Sequence, residues 1–373
     1  MTMGMLKVKM KNPSQALREL FAGWLGEGRL SAMLLPVMAK SGAATLALVS
    51  DPAKMADTAP LLPAMAVNAA SVVHDIAREP GEGAKVGVLL RPCELRAVVE
   101  LIKLRQVDAD AVALIGIDCP GTYKSAGFRE TRTEGEEFDN DHIRGQKDYC
   151  DNPNLRTACQ VCEFSSPPAF DVAIGFFGLD PDKELWIEAG SDKGRALLEG
   201  ADLTGEPPAA RANYLQALRE RRLKKAAARI DELDKAMLGP EKLVSYFADC
   251  LNCHNCMRVC PVCYCHECFF DSDTFKRGLD EHVRTAKRKG LTRMPSETLL
   301  FHLTRMNHMM ASCVACGICE DSCPAGVGLL SLFKKVSRNV QAEFEYVSGR
   351  SLDEPLPLVV FREDEFQAVG ESE

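Results

Sequence analysis

The chain has 373 residues, 46% of them hydrophobic, and a formal net charge of −8. Its length favours two or three domains of roughly 150 residues each, its apolar share suffices for a sizeable core, and its negative charge excludes the basic footprint that nucleic-acid binding needs. Sixteen cysteines follow an N-terminus without a signal peptide's apolar core, and no apolar run reaches the ~18 residues of a membrane span, so the cysteines predict a cytoplasmic metal-holding protein and not a disulfide framework.

Residues 12–25 are predicted to form a core-facing helix, capped near Ser14, with Leu17, Leu20, Phe21 and Trp24 at helical spacing. Short apolar runs at 44–50, 85–90 and 111–118 then alternate with helical patterns at 69–79 and 93–104. That alternation predicts an α/β domain with a parallel or mixed sheet, whose cofactors sit beyond the strand ends. Cys93 and Cys119 fall at two such ends, in R-P-C-E-L-R and I-D-C-P-G-T-Y. Gly81, Gly83 and Gly87 straddle a strand start instead of following one, so they make no dinucleotide fingerprint, and no Walker A motif occurs.

Residues 121–150 form a long polar stretch. Lys124, Arg129 and Arg132 there could meet a phosphate, although a solvated surface is the plainer reading. Cys150, Cys159 and Cys162 follow. With Cys119 they supply four thiols, enough for a [4Fe–4S] cluster; Cys93 would be a fifth, and zinc is the competing occupant. Two further strands are predicted at 171–178 and 184–189, then a linker at 200–209. A long helix over 211–237 carries Leu223, Ala226, Ile230, Leu233 and Met237 as an apolar seam, with a solvated basic face.

The strongest signals come next. Cys250, Cys253, Cys256 and Cys260, and again Cys313, Cys316, Cys319 and Cys323, repeat C-x2-C-x2-C-x3-C-P, the ligand spacing of bacterial two-cluster ferredoxins. Three thiolates of each run grip one cube, and the fourth reaches the other cube. One cluster therefore takes Cys250, Cys253, Cys256 and Cys323, and the other Cys313, Cys316, Cys319 and Cys260. Pro261 and Pro324 turn the chain after the fourth cysteines. A structural zinc site is the alternative; it would need only two C-x2-C pairs. The insert 261–312 is far longer than a minimal spacer. It holds Cys263, Cys265 and Cys268, which two cubes leave unexplained and whose ligand set could be completed by His254, His266 or another subunit. Its helix at 295–310 carries Leu299, Leu300, Leu303, Met309 and Met310 as core, with His302 and His308 as ordinary flanking residues. A helix at 326–340 closes the module, and the acidic tail 351–373 docks on a partner or hangs free.

The segments R-P-C-E-L-R-A, D-C-P-G-T-Y and A-C-Q-V-C-E…D-V-A-I-G-F-F-G resemble the coenzyme F(420) hydrogenase/dehydrogenase beta-subunit family, which includes formate dehydrogenase beta subunits. The resemblance spans about residues 30–195, with R-P-C-E-L where the family has G-T-P-C-Q. It implies FAD beside a [4Fe–4S] cluster, near Cys93, Cys119, Thr122 and Tyr123, with Arg91 adjoining. It also implies partners: a catalytic dehydrogenase or hydrogenase subunit and a disulfide-reductase-like electron acceptor. The expected organisation is an α/β domain at 1–199, a linker and long helix at 200–239, a mainly α-helical dicluster ferredoxin-like domain at 240–342, and a tail at 343–373. The expected function is transfer of electrons between a hydride-level donor (formate, hydrogen, F(420) or nicotinamide) and an iron–sulfur relay. A relay without flavin and a zinc-bound assembly module are the alternatives. No acid, base or nucleophile for bond chemistry stands out.

Overall fold

The computed structural model describes residues 2–79, 83–125, 127–128, 138–145, 149–206, 208–237, 239–265 and 267–359. Arg129, Arg132, Gly81, His266 and the tail beyond residue 359 lie outside this set. A seven-stranded mixed sheet organises the first half. Its strands are β1 (Met3–Lys7), β2 (Ala32–Met38), β3 (Ala44–Val49), β4 (Val86–Leu90), β5 (Val112–Ile117), β6 (Val172–Gly175) and β7 (Glu184–Ala189). They lie in the order β1-β7-β6-β5-β4-β2-β3. The centre, β2-β4-β5-β6, is parallel, and β3, β7 and β1 add antiparallel edges.

The central strand β5, V-A-L-I-G-I, is buried along its whole length, as expected of a parallel strand covered on both faces. Alternate residues feed two cores. Val88, Leu90, Val112 and Leu114 face the helices Ala69–Ala77 and Pro92–Lys103. Leu89, Ala113, Ile115 and Ile117 face Leu17, Phe21 and Trp24 of the helix Pro13–Gly26. The sequence reading lacked β1 and β2. β1 is short and starts at a Met-Gly pair, and β2 contains Pro36, which lies past the end of its pairing with β4 at Leu34.

The segment read as a linker packs on the sheet: Met5 N–H donates to Thr204 O at 2.8 Å. Beyond it, the helix Ala209–Ala236 is tied down by Arg211, which donates to Asp118 Oδ1 at 2.9 Å. The predicted seam is partly displaced. The helix buries Arg211, Leu218, Arg222, Ala226 and Leu233, so two residues of its supposedly solvated basic face lie inside.

The second half is helical, with Thr298–Met309 and Leu329–Glu343 as its longer core elements. Its apolar residues Phe247, Phe301, Met309 and Phe333 share one core with the helix Pro92–Lys103. A strap at the end of the chain closes that contact. Gly349 N–H donates to Glu100 Oε1 at 2.7 Å, and Arg96 Nε donates to Ser348 O at 2.8 Å. No helix among the described residues is long and apolar enough to cross a membrane.

Candidate metal centres

Cys250, Cys253, Cys256 and Cys323 line one cavity together with His254, Phe301 and His302. Cys260, Cys313, Cys316 and Cys319 line a second, with Arg305, Met309 and Phe333. In each, three thiols come from one loop and the fourth crosses over from the other, carried there by the short helices Asn255–Arg258 and Ile318–Asp321. Both loops share one backbone path. The second and fourth residues after the first cysteine are left-handed: Asn252 and His254 (φ 52° and 60°), then Ala315 and Gly317 (φ 53° and 70°). This path turns amides toward the sulfurs. Asn252 N–H lies 3.4 Å from Cys250 Sγ, and the amides of Ala315 and Ile318 serve Cys313 and Cys316 in the same way.

Burial is the larger influence and pushes the thiols of Cys250, Cys256, Cys260, Cys313, Cys316 and Cys319 up, Cys260 well above its ordinary range. Thiols so placed ionise when a cation takes up the charge, and the inward amides favour the thiolate. Among the described residues no three Cys, His, Asp or Glu groups converge as a single metal ion requires. A cube of irons would take one thiolate at each corner of such a ring, whereas a tetrahedral zinc would draw all four to one point.

A third group lies beyond the C-terminal ends of β4 and β5. The charge neighbours of Cys93 include Cys119, Cys162 and Cys316, and those of Cys119 include Cys159 and Cys162. Burial, with Cys159 next, pushes the Cys119 thiol up to about 12. The C-x2-C turn sits tightly against this strand end. Thr122 N–H donates to Cys159 Sγ at 3.3 Å, and a Cβ on Gly121, at φ +124°, would meet Cys159 Cβ at 3.0 Å. Cys150 is placed elsewhere, buried with Ile143, Tyr149 and Phe177 in the core on the sheet's other face. The thiols brought together are thus Cys93, Cys119, Cys159 and Cys162.

The expected flavin neighbourhood is confined. A cavity of about 20 Å³ there is lined by Leu62, Arg91, Cys119, Gly121 and His142, far below the ~300–1,000 Å³ of ordinary ligand pockets. Arg91 is already committed: Nη2 donates to Leu62 O at 2.6 Å and Ala64 O at 2.8 Å, and Nη1 pairs with Glu94 at 3.2 Å. Thr122 is buried against Cys159 and Arg156. Tyr123 packs on Phe128 and His142. These described residues do not fit a flavin dinucleotide at this place.

Several residues that matter here carried no signal in the sequence. Arg222, fully buried, donates to Pro120 O at 2.7 Å and to Cys162 O at 3.4 Å, clamping two loops of the third group. Arg156 donates to Cys316 O at 3.1 Å and pairs with Asp321 at 3.6 Å, joining the third group to the second. His302, expected to be an ordinary helix residue, is buried with Nε2 3.3 Å from Cys250 Sγ. Of the extra thiols, Cys265 is exposed, Cys268 faces Met257 Sδ at 3.3 Å, and burial raises Cys263 to about 11.

A mixed α/β sheet joined to a cysteine-rich helical module is an architecture suited to holding redox metal. Residues 83–206 match the family model for the C-terminal part of the coenzyme F420 hydrogenase/dehydrogenase beta subunit, and these residues belong to that beta-subunit family. The chain is 28% identical over 301 residues to the F420-dependent formate dehydrogenase subunit beta of Methanocaldococcus jannaschii, covering 73% of this chain and 75% of that one. It is likewise 28% identical over 314 residues to the F420-dependent formate dehydrogenase 1 subunit beta of Methanococcus maripaludis, covering 76% and 78%. A chain from the F420-reducing [NiFe] hydrogenase complex of Methanosarcina barkeri overlaps at TM-score 0.44 and 12% identity, over 65% of this chain and 94% of that one; overlap that low has no bearing on the fold.

Proposed function

We propose that this chain is the electron-transfer subunit of a dehydrogenase-type complex, holding three [4Fe–4S] clusters as a relay. The observation that carries this reading is the crossing of Cys260 and Cys323 into each other's thiol sets, each completing a ring of four around its own cavity. The three sets adjoin in series. Cys256 is a charge neighbour of Cys319, and Cys316 of Cys93. When bound, such clusters accept and release single electrons. The chain contributes thiolates, inward amides and a dry core that sets their potentials. Cys253 is exposed, beside exposed Leu251, so the first set is the end at which a partner subunit would exchange electrons. The relatives' names support formate and F420 as the distant redox partners.

Flavin is a separate element of the family resemblance. The confined cavity at Arg91 favours a relay without flavin bound at that position. Anaerobic purification tests both points. About twelve irons and twelve sulfides per chain, as three cubes require, support the relay, and zinc with little iron would end it. FAD released on denaturation would establish a flavin held elsewhere in the molecule.

A further inference from the structure

The insert between the two ferredoxin-like motifs is unexplained by ligand supply alone. Its helix Thr298–Met309 brings Arg305 into the core, where it is 3% exposed. The guanidinium sits at the boundary of two thiol sets. Nη2 donates to the carbonyl of Cys256, in the first set, at 2.9 Å, and the same side chain walls the cavity ringed by Cys260, Cys313, Cys316 and Cys319. Rings of Phe333 and Phe301 lie under it, 5.0 and 5.6 Å from the guanidinium carbon.

Arg305 is incompletely satisfied by protein. Nε and Nη1 have no hydrogen-bond partner, and among the described residues no carboxylate pairs with it. A buried, permanently charged group without a counter-ion is costly, because the hydration it loses is made good chiefly by an opposite charge. Its charge neighbours are Cys256 of the first set, Cys260 and Cys319 of the second, and the extra thiol Cys263. Once ionised, they are the missing counter-charge.

We propose that Arg305 is a buried counter-charge shared by the first and second clusters, and that it raises the reduction potential of both. This rests on the relay reading above. Reduction adds negative charge to a cluster, and a fixed cation in a low-dielectric core favours the reduced form. Sharing one cation also lessens the repulsion between adjacent anionic groups, so electrons can occupy neighbouring sites. The insert would then serve as an electrostatic wedge. Arg96 occupies a comparable place one step along. Its Nη1 donates to Val314 O at 3.2 Å, and its charge neighbours include Cys162, Cys93 and Cys313.

The test is an anaerobic redox titration of the full chain, followed by electron paramagnetic resonance, for wild type, Arg305→Gln and Arg305→Lys. Wild-type protein with no cluster signals would overturn the relay reading itself. With signals present, the expected result is a downward shift of two of three midpoint potentials in Arg305→Gln at unchanged iron content, with substantial restoration in Arg305→Lys. Unchanged potentials, or three equal shifts, would refute the shared counter-charge. If Arg305→Gln loses iron, Arg305→Lys decides. Retained clusters at near-wild-type potentials support a charge role, and equal loss overturns it.

Discussion

His302 Nε2 lies 3.3 Å from Cys250 Sγ while its ring stacks on Phe247 at a centroid distance of 4.0 Å and an interplanar angle of 6°. Burial, then Arg305 and His254, lower the imidazole pKa to about 3. It is therefore a neutral ring fixed against a proposed cluster ligand, and its Nε2–H tautomer is the one that would donate to a Cys250 thiolate. Donors to ligand sulfur favour the reduced state. The variant His302→Phe keeps the stacked ring and removes the donor. Its expected effect is a lower midpoint potential for one cluster signal only, read by the same spectroscopic titration. A shift in no signal would remove His302 from the tuning set.

The third group separates two cysteines that the sequence left interchangeable. Cys93→Ser is expected to remove about four irons per chain and one cluster signal. Cys150→Ser is expected to leave iron content unchanged and to cost only packing stability, since Cys150 sits among apolar side chains. Iron and sulfide analysis of both variants decides the matter. Iron loss in the Cys150 variant alone would reverse the assignment.

Gly317 illustrates how closely the second and third groups approach. Its φ of +70° favours glycine, and a Cβ there would stand 2.5 Å from Ala158 Cβ. Gly317→Ala should cost about 1–2 kcal/mol for the left-handed backbone and a further ~1–3 kcal/mol for the clash. Because the displaced neighbour adjoins Cys159, both cluster signals should broaden or weaken together. Ala158→Gly in the same chain should relieve the clash portion, measured by denaturant unfolding under anaerobic conditions.

Asp118 stands at the end of the central strand and accepts from Arg211 Nη2 at 2.9 Å and from the amides of Phe176 and Phe177 at 2.9 and 3.1 Å. Replacing it with alanine strands a buried guanidinium and two buried N–H groups. The expected loss is about 3–5 kcal/mol, seen as a lower denaturation midpoint. The double variant Asp118→Ala with Arg211→Met should recover part of it.

His142 gives a pH-dependent term. Burial, opposed by its bond to Gly121 O at 2.9 Å, lowers its pKa from 6.5 to about 4. The carbonyl accepts, so Nε2 carries the hydrogen of a neutral ring. The folded state therefore resists a proton that the unfolded state takes up. This contribution is complete above pH 6.5 and is lost as pH falls toward 4, at up to about 1.4 kcal/mol per pH unit. Unfolding curves across that range should flatten in His142→Gln, and an unchanged slope would show the ring titrating normally.

The parts of this molecule legible in its sequence are those with local signatures. β4 through β7 are short apolar runs bounded by polar turns, and the cysteines that line the two cavities are spaced within a few residues of one another in each motif. The buried arginines were illegible because an arginine on a helical pattern reads as solvent-facing until remote segments close over it. Arg222 is covered by the loops at Pro120 and Cys162, and Arg305 by Cys256 and Phe333. Cys93 and Cys150 were indistinguishable because spacing along the chain says nothing about which face of a sheet each will meet.

The bonds from Ser348 and Gly349 to the helix Pro92–Lys103 impose an order on biosynthesis. A helix made early acquires its final partners only after Ser348 and Gly349, about 250 positions further along, have been made. The packing of the helix that carries Cys93 is therefore completed by a segment made after both cysteine motifs, so the proposed second and third clusters would be enclosed by residues translated later than all their ligands.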